Sequence, residues 1–360
     1  MKVQIVSMQR VYNHGSFLQA YALKKLLEEI SEDVRFEDII PGISNDNMSE
    51  KFAESKNIPF FKDKIIRMLE KIQKKILLYN QRKILKVDFH FGAQVKRDLA
   101  VIGSDEMFNC CAPSVWGISK QLFGDIPESK RTVTYAVSCG HTEYKKIPDN
   151  AKDYLRNAMQ KLQVISVRDS NTERFVKQLT GRTVQYNLDP VLIYEFDNEV
   201  IRPRINKPYL LVYSYTNRMC NLKEIAAVKK FAKKHNLITI GAGVFQYWCD
   251  MNIPVSPFQL LGYFEYADFI VTDTFHGSVI SIKYNKPFVA FVRQSNENKL
   301  GDLLKRLGVE SRRVDNVEKF ETIAETACDY EKTNQFINKE RTRTRTYLKK
   351  CVDNRLETNI

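Results

Sequence analysis

The sequence lacks the features that mark membrane-spanning and secreted proteins. None of its apolar runs approaches the roughly 20 residues that a transmembrane helix needs. Residues 1–6 form one short strand pattern, without the hydrophobic core and small-residue cleavage site of a signal peptide. Apolar residues make up 43% of the chain and charged residues 28%, as in soluble globular proteins. We therefore expect a cytoplasmic protein, and its 360 residues predict two domains.

The seven cysteines and five histidines show no metal-binding spacing. There is no Cys-x-x-Cys pair, and no two histidines are spaced as zinc ligands. This argues against the common zinc modules and favours small buried apolar side chains and stray surface thiols. We expect no metal site.

Positive charge is concentrated in one part of the chain. The formal net charge is +13, and residues 51–98 carry thirteen Lys or Arg against five acids. Apolar residues recur there near helical spacing, at Ile65, Ile66, Leu69, Ile72, Ile76 and Leu77. Such a basic amphipathic helix, within residues 51–97, suits an anionic membrane surface, or else packs on the core with a solvated lysine face. The chain has no recognisable nucleic-acid motif, so we expect no nucleic acid as partner.

Strand patterns alternate with helix patterns along most of the chain, which predicts an α/β fold with parallel sheets. The alternation pauses in a polar stretch with two prolines at residues 195–208, and the domain boundary is expected there. The predicted domains are residues 1–198, with the basic helical insertion near 51–98, and residues 207–333. Residues 334–360 predict a charged helix that crosses back to the first domain.

Four predicted strands of the first domain end in small or polar residues. These groups are Asn13-His14-Gly15, Gly103-Ser104-Asp105, Ser138-Cys139-Gly140-His141 and Arg168-Asp169. The carboxyl ends of parallel strands share one edge of a sheet, where ligands bind in open α/β folds. We therefore expect these groups to meet along one rim. For His14 and His141 the alternative is an ordinary turn histidine.

The most informative segment lies near residue 270. An apolar strand pattern at residues 269–271 stops abruptly at small and polar residues, namely Thr272, Asp273, Thr274, His276, Gly277 and Ser278. A helix pattern follows at once, so free N–H groups at its start would suit an anion. A histidine in such a turn can exchange protons near neutral pH. The alternative for His276 is a structural histidine that the turn satisfies.

The ordered series of these motifs resembles the polysaccharide pyruvyl transferase family. The matching pieces are residues 13–23 (NHGSFLQAYAL), 101–106 (VIGSDE), 135–140 (YAVSCG), 166–169 (SVRD), 188–192 (LDPVL), 267–277 (ADFIVTDTFHG) and 287–289 (PFV). They cover nearly the whole chain in order, from the first strand to about Leu307. Two departures stand out, because many members carry Arg where this chain has Thr274, and a Trp often follows Gly-Ser-Asp where this chain has Met107-Phe108.

The resemblance implies a GT-B-like fold, with two Rossmann-type domains that face each other across a cleft. It implies transfer of the enolpyruvyl unit of phosphoenolpyruvate to a sugar as a ketal, with release of phosphate. The acceptor would belong to a capsule or other exopolysaccharide, often as a lipid-linked precursor. The enzyme would then be peripheral at the inner face of the membrane. Phosphoenolpyruvate is a co-substrate in this reaction, so no cofactor is expected.

Roles for individual residues follow from the resemblance. His276 is the expected proton carrier, and Asp105 would orient or deprotonate an acceptor hydroxyl, although an Asp at this position is equally a helix cap. Arg168 is the expected phosphate clamp, with an ion pair to Asp169 or Glu173 as the alternative.

Further residues complete the expected site. Those expected at the donor phosphate are Arg168, Thr274, the N–H groups of Gly277 and Ser278, and Arg293, which would replace the missing arginine. Those expected to line the cleft are Asn13, His14, Gly15, Ser104, Ser138, Gly140 and His141. Asp189-Pro190 is interpreted as a structural turn.

One competing enzyme has the same predicted shape. A GT-B glycosyltransferase would use the His-Gly helix start for the diphosphate of a nucleotide sugar. The chain has no Asp-x-Asp pair suited to a metal-bound nucleotide, which weakens only the metal-dependent variety of this alternative.

Overall fold

The computed structural model describes residues 1–44, 58–87, 96–112 and 114–355. Within these ranges the chain builds two β-sheets, of seven and six strands, and every pairing between their strands is parallel. The α/β fold class with parallel sheets is therefore confirmed.

The first sheet and its helices come from the first half of the chain. Its strands are β1 (Lys2–Val6), β2 (Asp33–Phe36), β3 (Leu99–Asp105), β4 (Thr132–Val137), β5 (Leu162–Val164), β6 (Ser166–Val167) and β7 (Gln185–Tyr186). Its helices are α1 (His14–Glu28), α2 (Phe60–Lys83), α3 (Asp149–Met159), α4 (Ser170–Thr180) and α5 (Pro190–Ile193). The strand order is β2-β1-β3-β4-β6-β7, with β5 also paired to β4.

The second sheet follows a connection at residues 194–208 that carries neither a helix nor a strand. Its strands are β8 (Tyr209–Tyr213), β9 (Ile238–Ala242), β10 (Met251–Ile253), β11 (Phe269–Thr272), β12 (Phe288–Phe291) and β13 (Arg313–Val314). The remaining helices are α6 (Leu222–Lys234), α7 (Pro257–Glu265), α8 (Phe275–Lys283), α9 (Glu297–Arg306), α10 (Phe320–Glu325) and α11 (Glu331–Asp353). The strand order is β10-β9-β8-β11-β12-β13.

The four strands with polar ends are neighbours in the first sheet. β1, β3, β4 and β6 lie side by side, with Val6 opposite Ile102 and Val137 opposite Val167. The segments that follow these strands therefore share one rim, as the sequence predicts.

The first helix begins earlier than its pattern suggests. The sequence indicates a turn at Asn13-His14-Gly15 with the helix following, but α1 already begins at His14. The side chain of Asn13 accepts hydrogen bonds from the N–H groups of Gly15, at 2.7 Å, and Ser16, at 3.4 Å. This N-cap satisfies the first free donors of the helix and brings His14 into its first turn.

The basic region contains the predicted helix, α2, while its residues 51–57 and 88–95 lie outside the described ranges. The apolar positions of α2 do not form one buried face. Ile66 and Leu77 are buried, whereas Ile65 and Ile72 are exposed. Neither α2 nor any other helix of the described ranges has the length and apolarity that crossing a membrane requires.

A single apolar core joins the two sheets. Tyr21 on α1 packs edge-to-face on Phe258 of α7 with 5.0 Å between ring centroids, and Phe17 contacts the same ring at 6.1 Å. The same cluster continues through α5 and α8. The two halves of the chain are therefore packed directly against each other.

The last helix, α11, returns to the first sheet. The hydroxyl of Tyr347 donates to the carbonyl of Thr134 in β4 at 2.7 Å. Arg131 donates to the carbonyl of Cys351 at 2.7 Å. These bonds fix the end of α11 beside β4, and residues 356–360 lie outside the described part of the chain.

We predict that Leu348→Ala lowers thermal stability. Leu348 is 1% exposed in the core beneath α11, and truncation of a buried leucine costs about 2–5 kcal/mol. Lys349→Ala, at an exposed neighbouring position, is the control and should change stability by less than about 0.5 kcal/mol. Circular dichroism melting curves of both variants measure the difference. Equal melting midpoints would contradict the packing of α11 described here.

Candidate functional site

His276 lies in the first turn of α8, directly after β11. Thr274 caps this helix, and its hydroxyl accepts a hydrogen bond from the N–H of Gly277 at 2.9 Å. The N–H of Ser278 donates to the carbonyl of Thr274 at 3.2 Å. The prediction that these two N–H groups bind phosphate is therefore wrong, because the cap and the first helical turn already occupy them. The Thr274 hydroxyl is likewise taken up by the cap.

Asp189 lies beside His276. Its Oδ2 atom is 3.6 Å from Nε2 of His276, and the carboxylate is fully buried. Its Oδ1 atom accepts a hydrogen bond from the N–H of Val191 at 3.0 Å, which caps α5. The sequence alone suggests only a structural turn here. The position of Asp189 could have indicated a functional role, because it follows β7 at the same rim as the other strand-end groups.

The surroundings keep Asp189 ionised. Burial alone would raise the pKa of Asp189, but the contact with His276, the charge of Arg168 and the Val191 N–H outweigh burial and lower that pKa. The resulting negative charge faces the imidazole of His276. Nε2 of His276 is itself buried, with Oδ2 of Asp189 at 3.6 Å and no shorter hydrogen bond to a described residue.

Arg168 joins Asp189 to Asp105. Its NH1 donates to Oδ2 of Asp189 at 3.0 Å and its NH2 to Oδ1 of Asp105 at 3.3 Å. The guanidinium lies 4.3 Å from the ring centroid of Phe275, and the side chain is 2% exposed. Burial disfavours the charge, but the nearby carboxylates outweigh it and raise the pKa of Arg168. Both terminal nitrogens hold carboxylates, and the assignment of Arg168 as a phosphate ligand stays a prediction.

The sequence neighbours of Arg168 are engaged elsewhere. Asp169 caps α4 by accepting a hydrogen bond from the N–H of Thr172 at 2.8 Å. Glu173 accepts a hydrogen bond from the hydroxyl of Tyr186 at 2.8 Å. The alternative of an ion pair between Arg168 and either neighbour is therefore wrong, because its ion pairs run to acids at other strand ends.

Asp105 closes β3 with φ at +98°, which residues other than glycine rarely adopt and which often marks a functional position. Its Oδ2 atom accepts a hydrogen bond from the hydroxyl of Ser16 at 2.9 Å, and its Oδ1 atom accepts one from the N–H of Glu106 at 3.0 Å. No helix of the described ranges begins at Asp105, so the helix-cap alternative is wrong. Its carboxylate lies instead between the start of α1 and Arg168.

Two histidines pass between the domains, each against a glycine of the opposite one. A Cβ atom on Gly15 would lie 2.2 Å from Nδ1 of His276. A Cβ atom on Gly243 would lie 2.4 Å from Cε1 of His14. Any larger residue at either glycine would displace the opposing imidazole. This reciprocal contact brings the rims of the two sheets together.

His14 lies within this interface and is buried. Its Nε2 atom is 3.2 Å from the carbonyl of Val255 and 3.2 Å from Nε2 of Gln73. Burial lowers the pKa of His14 to about 4, although the bond to Val255 opposes the shift. His14 is therefore neutral at physiological pH and joins the domains, so its assignment to the open cleft is wrong.

Two polar pairs close the site from the second domain. The Nδ2 group of Asn13 donates to the hydroxyl of Tyr215 at 2.8 Å. Lys299 on α9 forms an ion pair with Glu106, which also accepts a hydrogen bond from Asn109 at 2.6 Å. Burial would raise the pKa of Glu106, but Lys299 and Asn109 lower it to about 2. Only the fold joins Glu106 to Lys299, because 193 positions separate them.

The remaining rim residues support the backbone. The buried hydroxyl of Ser104 donates to the carbonyl of Ala136 at 2.9 Å. The buried hydroxyl of Ser138 accepts a hydrogen bond from the N–H of Gly140 at 3.1 Å. His141, which follows, is partly exposed at the end of the rim. The two serines therefore shape the rim from within, so their assignment to the cleft surface is wrong.

Arg293 lies beside the end of β11, and its guanidinium is paired with two carboxylates. Its NH1 and NH2 groups donate to the two carboxylate oxygens of Glu224 at 2.6 and 2.8 Å. Its Nε group donates to Asp273 at 3.4 Å. A phosphate at Arg293 would have to displace Glu224, and this assignment stays a prediction.

The assembled site is suited to proton transfer. His276, backed by an ionised acid, can donate a proton, and Asp105 can accept one. Lys299 and Arg168 supply positive charge nearby. Among the described residues, no three His, Cys, Asp or Glu side chains cluster closely enough to hold a metal ion.

Comparisons with known proteins address family and fold. A family model described as polysaccharide pyruvyl transferase matches residues 13–295. A comparison with curated proteins finds no match.

Solved structures resemble the whole chain at low identity. The UDP-GlcNAc 2-epimerase of Methanocaldococcus jannaschii is 10% identical with a TM-score of 0.50, over 96% of this chain and 99% of that one. The glycosyltransferase SnogD of Streptomyces nogalater is 11% identical with a TM-score of 0.47, over 97% and 98%. The O-GlcNAc transferase of Thermobaculum terrenum is 10% identical with a TM-score of 0.48, over 98% of this chain and 66% of that one. The chain thus spans about two thirds of the latter protein. Together with the two parallel sheets, the match to the UDP-GlcNAc 2-epimerase confirms the GT-B-like fold.

We predict that His14 makes the fold acid-sensitive. An unfolded histidine takes up a proton near pH 6.5, but His14 in the fold does so only at about pH 4. The unfolded state therefore binds more protons between these values. Stability is fully present above pH 6.5 and falls by about 3 kcal/mol as the pH drops to 4. His14→Asn should flatten this part of the stability profile, measured by denaturant unfolding at a series of pH values. An unchanged slope in the variant would contradict the neutral His14 described here.

Proposed function

Because this chain belongs to the polysaccharide pyruvyl transferase family, we propose that it forms a pyruvate ketal on a sugar of a cell-surface polysaccharide or of its lipid-linked precursor. The proposed donor is phosphoenolpyruvate, and the second product is inorganic phosphate. The observation that carries the proposal is the pair of His276 and ionised Asp189 at the rim that holds Arg168 and Asp105.

Ketal formation requires one proton delivered to carbon and two removed from hydroxyls. Protonation of the methylene carbon of phosphoenolpyruvate leaves a cationic carbon, which a first sugar hydroxyl attacks with loss of its proton. The C–O bond to phosphate then breaks, and phosphate leaves with the bonding electrons. A second hydroxyl adds to the same carbon and loses its proton. The site must therefore supply an acid, a base and cations for the departing phosphate.

His276 is the acid in this proposal. Oδ2 of Asp189 lies 3.6 Å from its Nε2 atom and places a negative charge beside the ring. Gly15 lies against the other side of the ring, at Nδ1, and fixes its position. The ring is thereby held at one place between the domains, where its side chain is 13% exposed.

Asp105 is the base for the acceptor hydroxyls. Its carboxylate is 13% exposed, in contrast to the fully buried Asp189, so an acceptor can reach it. Arg168 and the hydroxyl of Ser16 hold it in place. One carboxylate therefore stabilises the acid and the other accepts protons, with Arg168 bonded to both.

Phosphate binding is assigned to cations near this pair. Arg168 is the proposed clamp, because a guanidinium can bind phosphate through two nitrogens and this one lies at a strand end. Lys299 is the more accessible cation, because its side chain is 20% exposed whereas that of Arg168 is 2% exposed, and phosphate would compete with Glu106 for it. Lys299 then moves from one anion to another without leaving the cleft.

The proposed acceptor is a lipid-linked saccharide, so the enzyme would work as a peripheral protein at the inner face of the cell membrane. The alternative donor is a nucleotide sugar, used by a glycosyltransferase of the same fold. Donor identity separates the two functions.

We expect acceptor-dependent release of phosphate from phosphoenolpyruvate, with a product heavier by one pyruvate ketal. The assay offers a panel of lipid-linked saccharides and detects phosphate and product mass. His276→Gln should lower the rate by about 10²–10⁴-fold, because it removes the acid. His235→Gln, at a surface histidine that contacts Glu325, is the matched control and should retain the rate. No release across the panel, together with stabilisation by a nucleotide sugar alone, would favour the glycosyltransferase.

We expect Gly15→Ala to impair the same reaction without removing a catalytic group. The added methyl would lie 2.2 Å from Nδ1 of His276, so the imidazole must move. A displacement of about 1 Å can lower kcat about 10²-fold. Gly181→Ala is the control for a general loss of stability. Its φ of +74° disfavours alanine, but the added methyl contacts no other atom, so kcat should stay normal. A normal kcat for Gly15→Ala would contradict the proposal that His276 acts from its position against Gly15.

A further inference from the structure

The outer face of α2 is apolar although it is exposed. Its residues follow one another at spacings of four, three, four and seven positions, which keeps them on one side of the helix. Their exposures are 73% for Phe61, 42% for Ile65, 54% for Met68, 42% for Ile72 and 59% for Tyr79. We call these five residues the apolar stripe. A contiguous exposed stripe of this kind marks an interaction surface.

A row of cations runs beside the apolar stripe. Lys64, Lys71, Lys75 and Arg82 are exposed and follow one another at spacings of seven, four and seven positions. Each residue turns an α-helix by about 100°, so this basic row lies about 60° around the helix from the stripe. The acids of α2, Asp63 and Glu70, lie outside both rows.

The opposite face of α2 is fixed to both domains. The side chain of Gln73 accepts a hydrogen bond from the N–H of Val255 at 2.9 Å and donates to its carbonyl at 2.8 Å. Gln81 donates to the carbonyl of Val11 in the first domain at 2.8 Å. These bonds set the orientation of α2 and direct the apolar stripe and the basic row away from the protein.

We propose that α2 docks the protein on an anionic membrane, with the apolar stripe buried among the lipids and the basic row on their headgroups. Interfacial helices combine an apolar face with flanking Lys and Arg in this way. The basic row complements the negative charge of the lipid headgroups. A second copy docked through the same face would bring one basic row against another, which is repulsive.

The docking would bring the enzyme to a lipid-linked acceptor, and this role rests on the proposed function. Gln73 on the inner face of α2 contacts His14, and the next residue, Gly15, lies against His276. A membrane against the outer face of α2 therefore lies close to the active site. A saccharide linked to a membrane lipid would reach the cleft from that side.

Vesicle binding of the full chain tests the proposal without donor or acceptor, so docking and catalysis can fail separately. We expect the chain to float with vesicles of phosphatidylcholine mixed with phosphatidylglycerol, and not with phosphatidylcholine alone. Replacing Ile65, Met68 and Ile72 together by serine should weaken this binding by about tenfold or more, since the apolar contact is lost. Leu222→Ser, at a 70% exposed apolar position on α6, is the control and should bind normally.

A second pair of variants tests the basic row. Lys64, Lys71 and Lys75 changed to glutamate should abolish binding, whereas the same change at Lys223, Lys229 and Lys233 on α6 should not. A position-specific readout is Met68→Trp, whose emission should shift to the blue on adding anionic vesicles.

Three outcomes would overturn the proposal. They are equal binding to neutral vesicles, full binding by the folded serine variant, and self-association that this variant abolishes while vesicles leave the parent chain unbound. The last outcome would assign the apolar stripe to a second copy. Melting curves establish that each variant is folded.

Discussion

The site depends on a single buried guanidinium. Arg168 is almost wholly removed from water, and an unpaired charge there would be strongly destabilising. Asp189 and Asp105 neutralise it from the ends of two other strands. The buried charge is therefore tolerated only where the ends of these three strands lie together. The same two carboxylates then face His276 and Ser16. The contacts that neutralise Arg168 therefore also position His276, the proposed acid, and Asp105, the proposed base.

Close approach of the two domains is the second constraint. His276 and His14 each occupy space that only a glycine on the opposite domain leaves open. The two histidines nevertheless have different electrostatic surroundings. His276 faces a buried carboxylate, whereas His14 meets a carbonyl and an amide and is held neutral by burial. Position relative to Asp189, and not residue type, separates the proposed proton carrier, His276, from the buried His14.

Much of the fold follows from the sequence, because parallel strands put their carboxyl ends on one edge whatever their order. That rule brings Asp105 and Arg168 together and singles out the turn at His276. It does not identify side-chain partners, so Glu106 and Lys299 meet in a way that no local pattern reveals. The expected phosphate donors at the start of α8 fail for a local reason, since Thr274 caps that helix itself. Asp189 could have been predicted by the same rule, because it follows strand β7 of the same sheet.

The insertion that carries α2 has a mechanical consequence. The paired bonds of Gln73 to the backbone of Val255 make α2 a third connection between the domains, besides residues 194–208 and α11. Two bodies joined at three separate places resist the hinge bending that opens a two-domain cleft. We therefore expect the domains to keep their relative orientation when a ligand binds, and local contacts such as the ion pair of Glu106 with Lys299 to rearrange instead.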